Sequence, residues 1–284
     1  MKAFNYHRPS SLGEVSQLLG DLGEDAQVLA GGTALMLVMR QRMLNPLHLI
    51  SLENLAALKD IRIDEQTGVS IGALCTHSDI AHSAVVNQYF PIMVSMACRV
   101  ANPQVRNQGT LGGNICYADP STDPTTCLLS LDARVVLANQ HRVREIPLDS
   151  FLIDYFTTDL QSEELLVAVN IPLPRETYEG FYYRHLKTQA DHRPIFNCSL
   201  MVERSHDECA DLRIAVGAAL PVAKRIPEIE SLLKGQVVTP GLIDQACEML
   251  IDNHDFISDF RADDHYRQTI ARSTLKRALI TIFR

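Results

Sequence analysis

Apolar residues at Leu12, Val15, Leu18 and Leu19 recur at the three- and four-residue spacing of one helical face. Ser11, with Glu14 three positions on, reads as a capping box at its start, and Gly20 and Gly23 read as its end. A short apolar run over 27–30 predicts a strand. Residues 34–44 have helix-forming composition up to Asn45-Pro46, and 47–52 predicts another strand. Gly31-Gly32-Thr33 therefore falls between a strand and a helix.

The pattern then changes to period two. Residues 61–64 and 69–74, joined through 65–68, predict a hairpin. Thr76 to Asp79 caps the next helix, and 91–100 predicts a helix stopped by Asn102-Pro103. A second glycine pair, Gly112-Gly113, follows in "TLGGNICYADPSTDP". A second hairpin is predicted over 134–138 and 143–148, and a strand over 165–171 ends at Pro172 and Pro174. "IPLPRETYEG", residues 171–180, reads as a boundary, giving one unit over 1–174 and another over 175–284. Beyond it come strand-like runs at 181–186, 195–203 and 212–220, then helices at 227–234, 239–252 and 263–283. This order implies an α+β fold with mixed or antiparallel sheets, not a doubly wound parallel sheet.

Composition narrows the function classes. The 284 residues suffice for two or three cores, and 46% hydrophobic with 21% charged is ordinary for a globular chain. A net charge of −8 argues against nucleic acid and against an anionic membrane surface. No apolar run spans a bilayer, and "MKAFNYHRPS" lacks a signal-peptide core, so a cytoplasmic location is expected. Seven scattered cysteines without a CxxC pair form neither a disulfide framework nor an iron–sulfur cradle. No histidine spacing suits a metal, His77 and His82 included, so no metal site is expected.

The glycine pairs carry the candidate chemistry. Without Cβ atoms the backbone at Gly31 and Gly32 can approach a ligand closely, and amides at a helix start favour an anion such as a diphosphate. Thr33 adds a hydroxyl; a plain tight turn is the alternative. There is no GxxxxGK[ST] and no GxGxxG, which excludes the P-loop and the Rossmann fingerprint. Thr110, Gly112, Gly113 and Asn114 offer a hydroxyl, two bare backbone positions and an amide, followed by Asp119 and Asp123 on a proline-stiffened loop. Together the two loops have the halves a dinucleotide needs.

"LAGGTALM" and "NPQVRNQGTLGGNICYADPSTD" resemble the two FAD-binding signatures of the medium, flavin-carrying subunit of the molybdenum hydroxylases. "FNYHRPSSLGEV", "VSIGALCTHSDI" and "LRIAVGAALPVAKR" fit in order, so the resemblance covers nearly the whole chain, with xanthine dehydrogenase-type subunits as the finer placement. It implies a vanillyl-alcohol-oxidase-type FAD-binding domain of two α/β subdomains, about 1–55 and 56–174. A small antiparallel sheet with C-terminal helices would follow. Carried over by position, Val28, Leu29, Ala30, Gly31, Gly32, Thr33, Ala34 and Leu35 would wrap the FAD diphosphate. Thr110, Gly112, Gly113 and Asn114 would form the second wall, with Asp123 closing on the cofactor and Val100 beside the flavin. Leu165 would pack on the isoalloxazine ring, and Lys187 would lie near it. Two departures stand out: Ala34 replaces a commonly acidic residue, and "KTQADHRPIF" replaces the usual "RRxxDIA".

The resemblance also implies a division of labour. A molybdopterin-binding large subunit would oxidise the organic substrate, and a small subunit with [2Fe–2S] clusters would pass electrons to FAD and on to NAD as the expected acceptor. The chain's own residues agree, since they show no acid–base dyad or activated nucleophile. Two other readings remain open: a stand-alone flavin oxidoreductase of the same fold, and an assembly module that has lost FAD.

Overall fold

The structure, a computed structural model, describes residues 1–64, 67–175, 177–188, 191–206 and 208–283. Glu65 and Gln66 of the first predicted turn, Glu176 of the boundary stretch, and Gln189 and Ala190 of the 187–196 stretch lie outside them.

In chain order the first elements are β1 (Asn5–His7), α1 (Leu12–Leu22), β2 (Ala26–Leu29), α2 (Leu35–Arg40) and β3 (His48–Ser51). The strands pair in parallel in the order β1-β3-β2. The helical face predicted from Leu12 to Leu19 does bury: Val15 and Leu19 pack with Ile50, Leu52, Leu55 and Leu74. Three local details differ from expectation. Gly20 lies inside α1, and only Gly23 (φ +52) ends it. Ser11 accepts from the Glu14 amide, but the Glu14 carboxylate turns to Ser10 rather than closing the box. Helix α2 stops at Arg40, because Arg42 (φ 63) takes the left-handed turn that leads to Pro46.

Next come β4 (Ile61–Asp64), β5 (Gly68–Gly72), α3 (His77–His82), α4 (Ala84–Tyr89), α5 (Pro91–Ala97), α6 (Pro103–Gln108), α7 (Leu111–Tyr117) and α8 (Pro124–Ser130). They are followed by β6 (Arg134–Ala138), β7 (Val143–Pro147), α9 (Leu148–Phe151), β8 (Leu152–Asp154), β9 (Thr157–Thr158) and β10 (Leu165–Ile171). An antiparallel sheet forms in the order β4-β5-β10-β6-β7. Its inward residues Val69, Ile71, Val135 and Val169 bury against Met93 and Met96 of α5, Leu111 and Ile115 of α7, and Leu128 of α8. Alternation along β10 sends Leu166 to this core and Leu165 to the α1 side.

The remaining elements are β11 (Tyr178–His185), β12 (Phe196–Ser205), β13 (Glu208–Gly217), β14 (Lys224–Arg225), α10 (Pro227–Leu233), β15 (Gln236–Val237), α11 (Pro240–Asp252) and α12 (Asp264–Ile282). Strands β11 to β14 form an antiparallel sheet in chain order, with β15 added to β13. On β12, Phe196, Cys198, Leu200 and Val202 face a core with Ala271, Leu275 and Leu279 of α12. Asn197 and Ser199, on the opposite face, meet Thr126 and Ser130 of α8. A strand covered on both sides needs those polar residues to be hydrogen-bonded, and they are. Among the described residues no helix is long and apolar enough to cross a membrane.

Candidate flavin site at the seam of two glycine turns

The two glycine turns abut. A Cβ built on Gly31 would lie 1.9 Å from the Gln108 carbonyl oxygen and 3.1 Å from Gly109 Cα, so only glycine lets segment 30–33 press against 108–109. On the other side, a Cβ on Gly113 would come within 3.6 Å of Ala30 Cβ.

The pairs do different work, which corrects the expectation that both offer bare backbone. Gly112 and Gly113 form the first turn of α7, not a loop. Their amides are used internally: Leu111 N–H donates to Cys75 O (2.9 Å), Gly112 N–H to Ala73 O (2.9 Å), and Gly113 N–H to the capping Thr110 Oγ1 (3.2 Å). Gly112 is there for close packing, since its Cβ would fall 2.6 Å from Ala73 Cβ. The first pair is the reverse case. Among the described residues, the amides of Gly31, Gly32, Thr33, Ala34 and Leu35 make no hydrogen bond to protein, and the Thr33 hydroxyl is likewise unpaired. Gly32 makes the turn at φ +71, and the segment is half-buried. Residues 26–52 contain no acid. Consecutive unpaired donors leading into a helix, in a stretch free of carboxylates, make an anion cradle that suits a diphosphate. Ala34 fits this arrangement, because an unpaired backbone amide is available there whatever the side chain.

The other expected site residues are distributed as follows. Val28 and Ala30 pack their side chains against the α1-side core, and Leu165 lies in that same core. Leu29 and Leu35 flank the cradle, half-buried. Val100 is buried on the α7 side, its carbonyl held by Arg106 Nη1 (2.9 Å). Leu165 and Val100 thus sit in different cores, on opposite faces of the sheet containing β10. Asn114 Oδ1 accepts from Thr122 Oγ1 (2.6 Å), which leaves its amide N–H₂ unpaired.

Asp123 is only 3% exposed and faces the C-terminal sheet. It accepts from the Tyr182 hydroxyl and from Asn197 Nδ2 (3.3 Å), and pairs with Arg184 Nη1 at 3.4 Å. Burial pushes its carboxyl above the usual range, against the pull of Arg184, Tyr182 and Asn197. Lys187 Nζ donates to Arg261 O (3.0 Å). Arg261 in turn reaches Ser121 Oγ and pairs with Asp259 (2.6 Å), while Arg193 pairs with Asp119 (2.7 Å). Arg193 of the departing 187–196 stretch is therefore fastened to the Asn114–Asp123 segment directly through Asp119, and Lys187 indirectly, through the Arg261 carbonyl and the Arg261 side chain on Ser121.

Asp259 gives a pH prediction. Burial pushes its carboxyl up, but hydrogen bonds from Arg261 and the charge of buried Arg267 outweigh this and hold it at about 2. A depressed folded-state pKa gives stability that is present above the ordinary value of 3.8 and lost as pH falls towards 2. Thermal unfolding followed from pH 4 to pH 2 should show a shallower fall in Tm for Asp259→Asn than for the unmodified chain.

Several residues at the seam escape sequence reasoning. Gly109 stands in the quoted "GTLGG" but outside the pair; its Cβ would meet Val105 O at 2.9 Å. Arg184, Tyr182 and Asn197 gain their roles only through the docking of β11 and β12 on α8. His77 is 2% exposed, with Nδ1 buried and unpartnered. Burial, with the nearby charge of Arg106, pushes it down to about 4, so it is neutral at physiological pH. Its position in a helix cap gave no sign of this.

A parallel βαβ layer and an antiparallel layer meeting at an unpaired amide row make the class of site that holds the diphosphate of a dinucleotide. The family described as the FAD binding domain in molybdopterin dehydrogenase matches residues 2–174, and the CO dehydrogenase flavoprotein C-terminal domain matches 181–282. The chain belongs to this family of FAD-carrying subunits of the molybdenum hydroxylases. It is 33% identical to the carbon monoxide dehydrogenase medium chain of Hydrogenophaga pseudoflava, over 97% of this chain and 96% of that one. It is 25% identical to the xanthine dehydrogenase FAD-binding subunit of Escherichia coli O157:H7, over 97% and 94%. A solved structure of the Hydrogenophaga carbon monoxide dehydrogenase superposes with a TM-score of 0.94 at 32% identity, covering 98% of this chain and 96% of its counterpart. FAD is the cofactor of this chain's family, and the donor set at the seam fits it.

Proposed function

We propose that the chain is the electron-transferring flavin subunit of a heterotrimeric, cytoplasmic hydroxylase. A molybdopterin-binding large subunit oxidises the substrate, a [2Fe–2S] small subunit relays electrons, and this chain hands them to NAD or another acceptor. The observation that carries the reading is the row of unpaired amides from Gly31 to Leu35 at the seam of the two layers. Bound FAD supplies one- and two-electron redox chemistry; the chain's residues bind and orient it. The amides and the Thr33 hydroxyl hold the diphosphate. Thr110, Gly112 and Gly113 set α7 in place, so that the free amide of Asn114 lines the second wall. Asp123 holds that wall to the C-terminal sheet, and Lys187 brings a positive charge to the same side. We assign the flavin fold to 1–174, with subdomains of about 1–55 and 56–174, and the sheet-plus-helices unit to 175–284.

A xanthine dehydrogenase-like substrate is supported by the 25% relative, while the carbon monoxide dehydrogenase medium chain is more similar at 33%. Purines, N-heterocycles, aldehydes and carbon monoxide are therefore assayed side by side on the purified complex. The full chain, stripped of flavin and titrated with FAD, should bind one equivalent, reduce dyes with NADH, and capture two larger-complex partners. Alone it should oxidise no organic substrate. Turnover by the isolated chain would favour a stand-alone oxidoreductase, and a chain that stays colourless with FAD would favour an assembly module.

A further inference from the structure

Three groups meet at Gly109. The His77 backbone N–H donates to Gly109 O (3.0 Å). A Cβ on Gly109 would lie 3.3 Å from His77 Cδ2 and 3.4 Å from Thr33 Oγ1. The imidazole edge bearing Cδ2 and Nε2 therefore looks across a bare glycine at the cradle's only hydroxyl. Neither Thr33 Oγ1 nor the imidazole has a hydrogen-bond partner among the described residues, and His77 is 2% exposed with Nδ1 fully buried. Such a group is costly to bury without a role, and a leucine would fill the same space without the penalty. Nδ1 is enclosed with no acceptor in reach, so a neutral ring keeps its proton best at Nε2, on the edge towards Thr33.

We infer that His77 is a positioning residue for the flavin diphosphate: its Nε2–H, which makes no bond to Thr33 in the flavin-free chain, donates to Thr33 Oγ1 when a bound phosphate draws that hydroxyl in, and turns the hydroxyl hydrogen onto a phosphate oxygen. The inference rests on the diphosphate lying along Gly31 to Leu35. It assigns a task to a residue that the amide cradle does not need for its shape. The relay needs the phosphate oxygen to accept from Thr33 and hold its Oγ1 towards the imidazole; in the chain by itself neither bond is made. Arg106, which holds Val100 O, is the charged neighbour of His77 from α6. It adds positive potential behind the relay but offers His77 no acceptor.

The test uses the full chain, stripped of flavin and titrated with FAD by fluorescence quenching, together with thermal unfolding of the flavin-free forms. His77→Leu should raise the flavin-free Tm, because the orphaned imidazole is gone, yet weaken FAD binding about tenfold, the equivalent of ~1.4 kcal/mol. His77→Gln places an N–H near the Nε2 position and should restore most of the affinity. Thr33→Val should weaken binding to a similar degree, and combining it with His77→Leu should cost little more, since the two act in series. Equal FAD affinity in the unmodified chain and His77→Leu would overturn the inference, as would full additivity of the two changes. Failure of the unmodified chain to bind FAD would instead overturn the reading of the cradle, so the two failures are told apart.

Discussion

Gly31→Ala should leave a protein that folds less stably and holds FAD at least a hundredfold more weakly. The added methyl would sit 1.9 Å from the carbonyl oxygen of Gln108, a backbone atom that cannot swing aside. Overpacking of this kind costs about 1–3 kcal/mol, and here relief requires the two turns to separate. Separation moves the amides of Gly31 to Leu35 away from the second wall. Each charge-assisted hydrogen bond lost is worth about 1.5–3 kcal/mol, so losing one or two gives the hundredfold change. Gly13→Ala is the matched control: it lies in α1 with only Ser11 Oγ at 4.0 Å, and should stabilise by up to about 1 kcal/mol without touching the flavin. Fluorescence titration with FAD and thermal melts measure both effects. Gly113→Val acts differently, because the nearest atom to its Cβ is Thr110 Oγ1 at 2.7 Å, the α7 cap. It should lose the cap and the fit against Ala30 together. Unchanged FAD affinity in Gly31→Ala would mean that the diphosphate does not depend on the seam.

The second large effect concerns the junction between the flavin layers and the C-terminal sheet. Asp123→Ala should destabilise the chain by about 3–5 kcal/mol, the usual cost of removing one member of a buried ion pair. Among the described residues, Arg184 would keep a buried positive charge with the carbonyl oxygens of Arg99 and His192 as its remaining acceptors. The Tyr182 hydroxyl would lose its acceptor, and Asn197 Nδ2 would keep Thr122 O and the Tyr182 hydroxyl oxygen. Asp123→Asn keeps an oxygen for Tyr182 and should cost less. Urea unfolding of the three proteins orders them. An Asp123→Ala midpoint equal to that of Asp123→Asn would show that the charge of Arg184 is met by solvent rather than by Asp123.

Much of this architecture is legible locally. The stripe from Leu12 to Leu19, the Thr76–Asp79 capping box, the strand at Leu165–Ile171 and the three C-terminal helices lie where their periods and caps place them. Helix α2 ran short because composition does not foresee the left-handed turn at Arg42. Helices α4, α6 and α8 are six or seven residues long, too short for a periodic signal, and they form because Ser83, Asn102 and Pro124 start them and the core covers them.

The candidate site divides along the same line. By itself, the sequence determined the order of elements and the places where a side chain is missing, because caps, periods and glycines act within a few residues. Only the tertiary structure decided what those glycines are for. Gly112 and Gly113 carry the same two-letter signal as Gly31 and Gly32, yet one pair spends its amides on Ala73 and Thr110 and the other keeps them free. Whether an N–H is available depends on acceptors that arrive from distant segments. That accounting closes only when β5, α6 and the first turn are brought together, and it is also what brings His77 and Thr33 against the same bare glycine, Gly109.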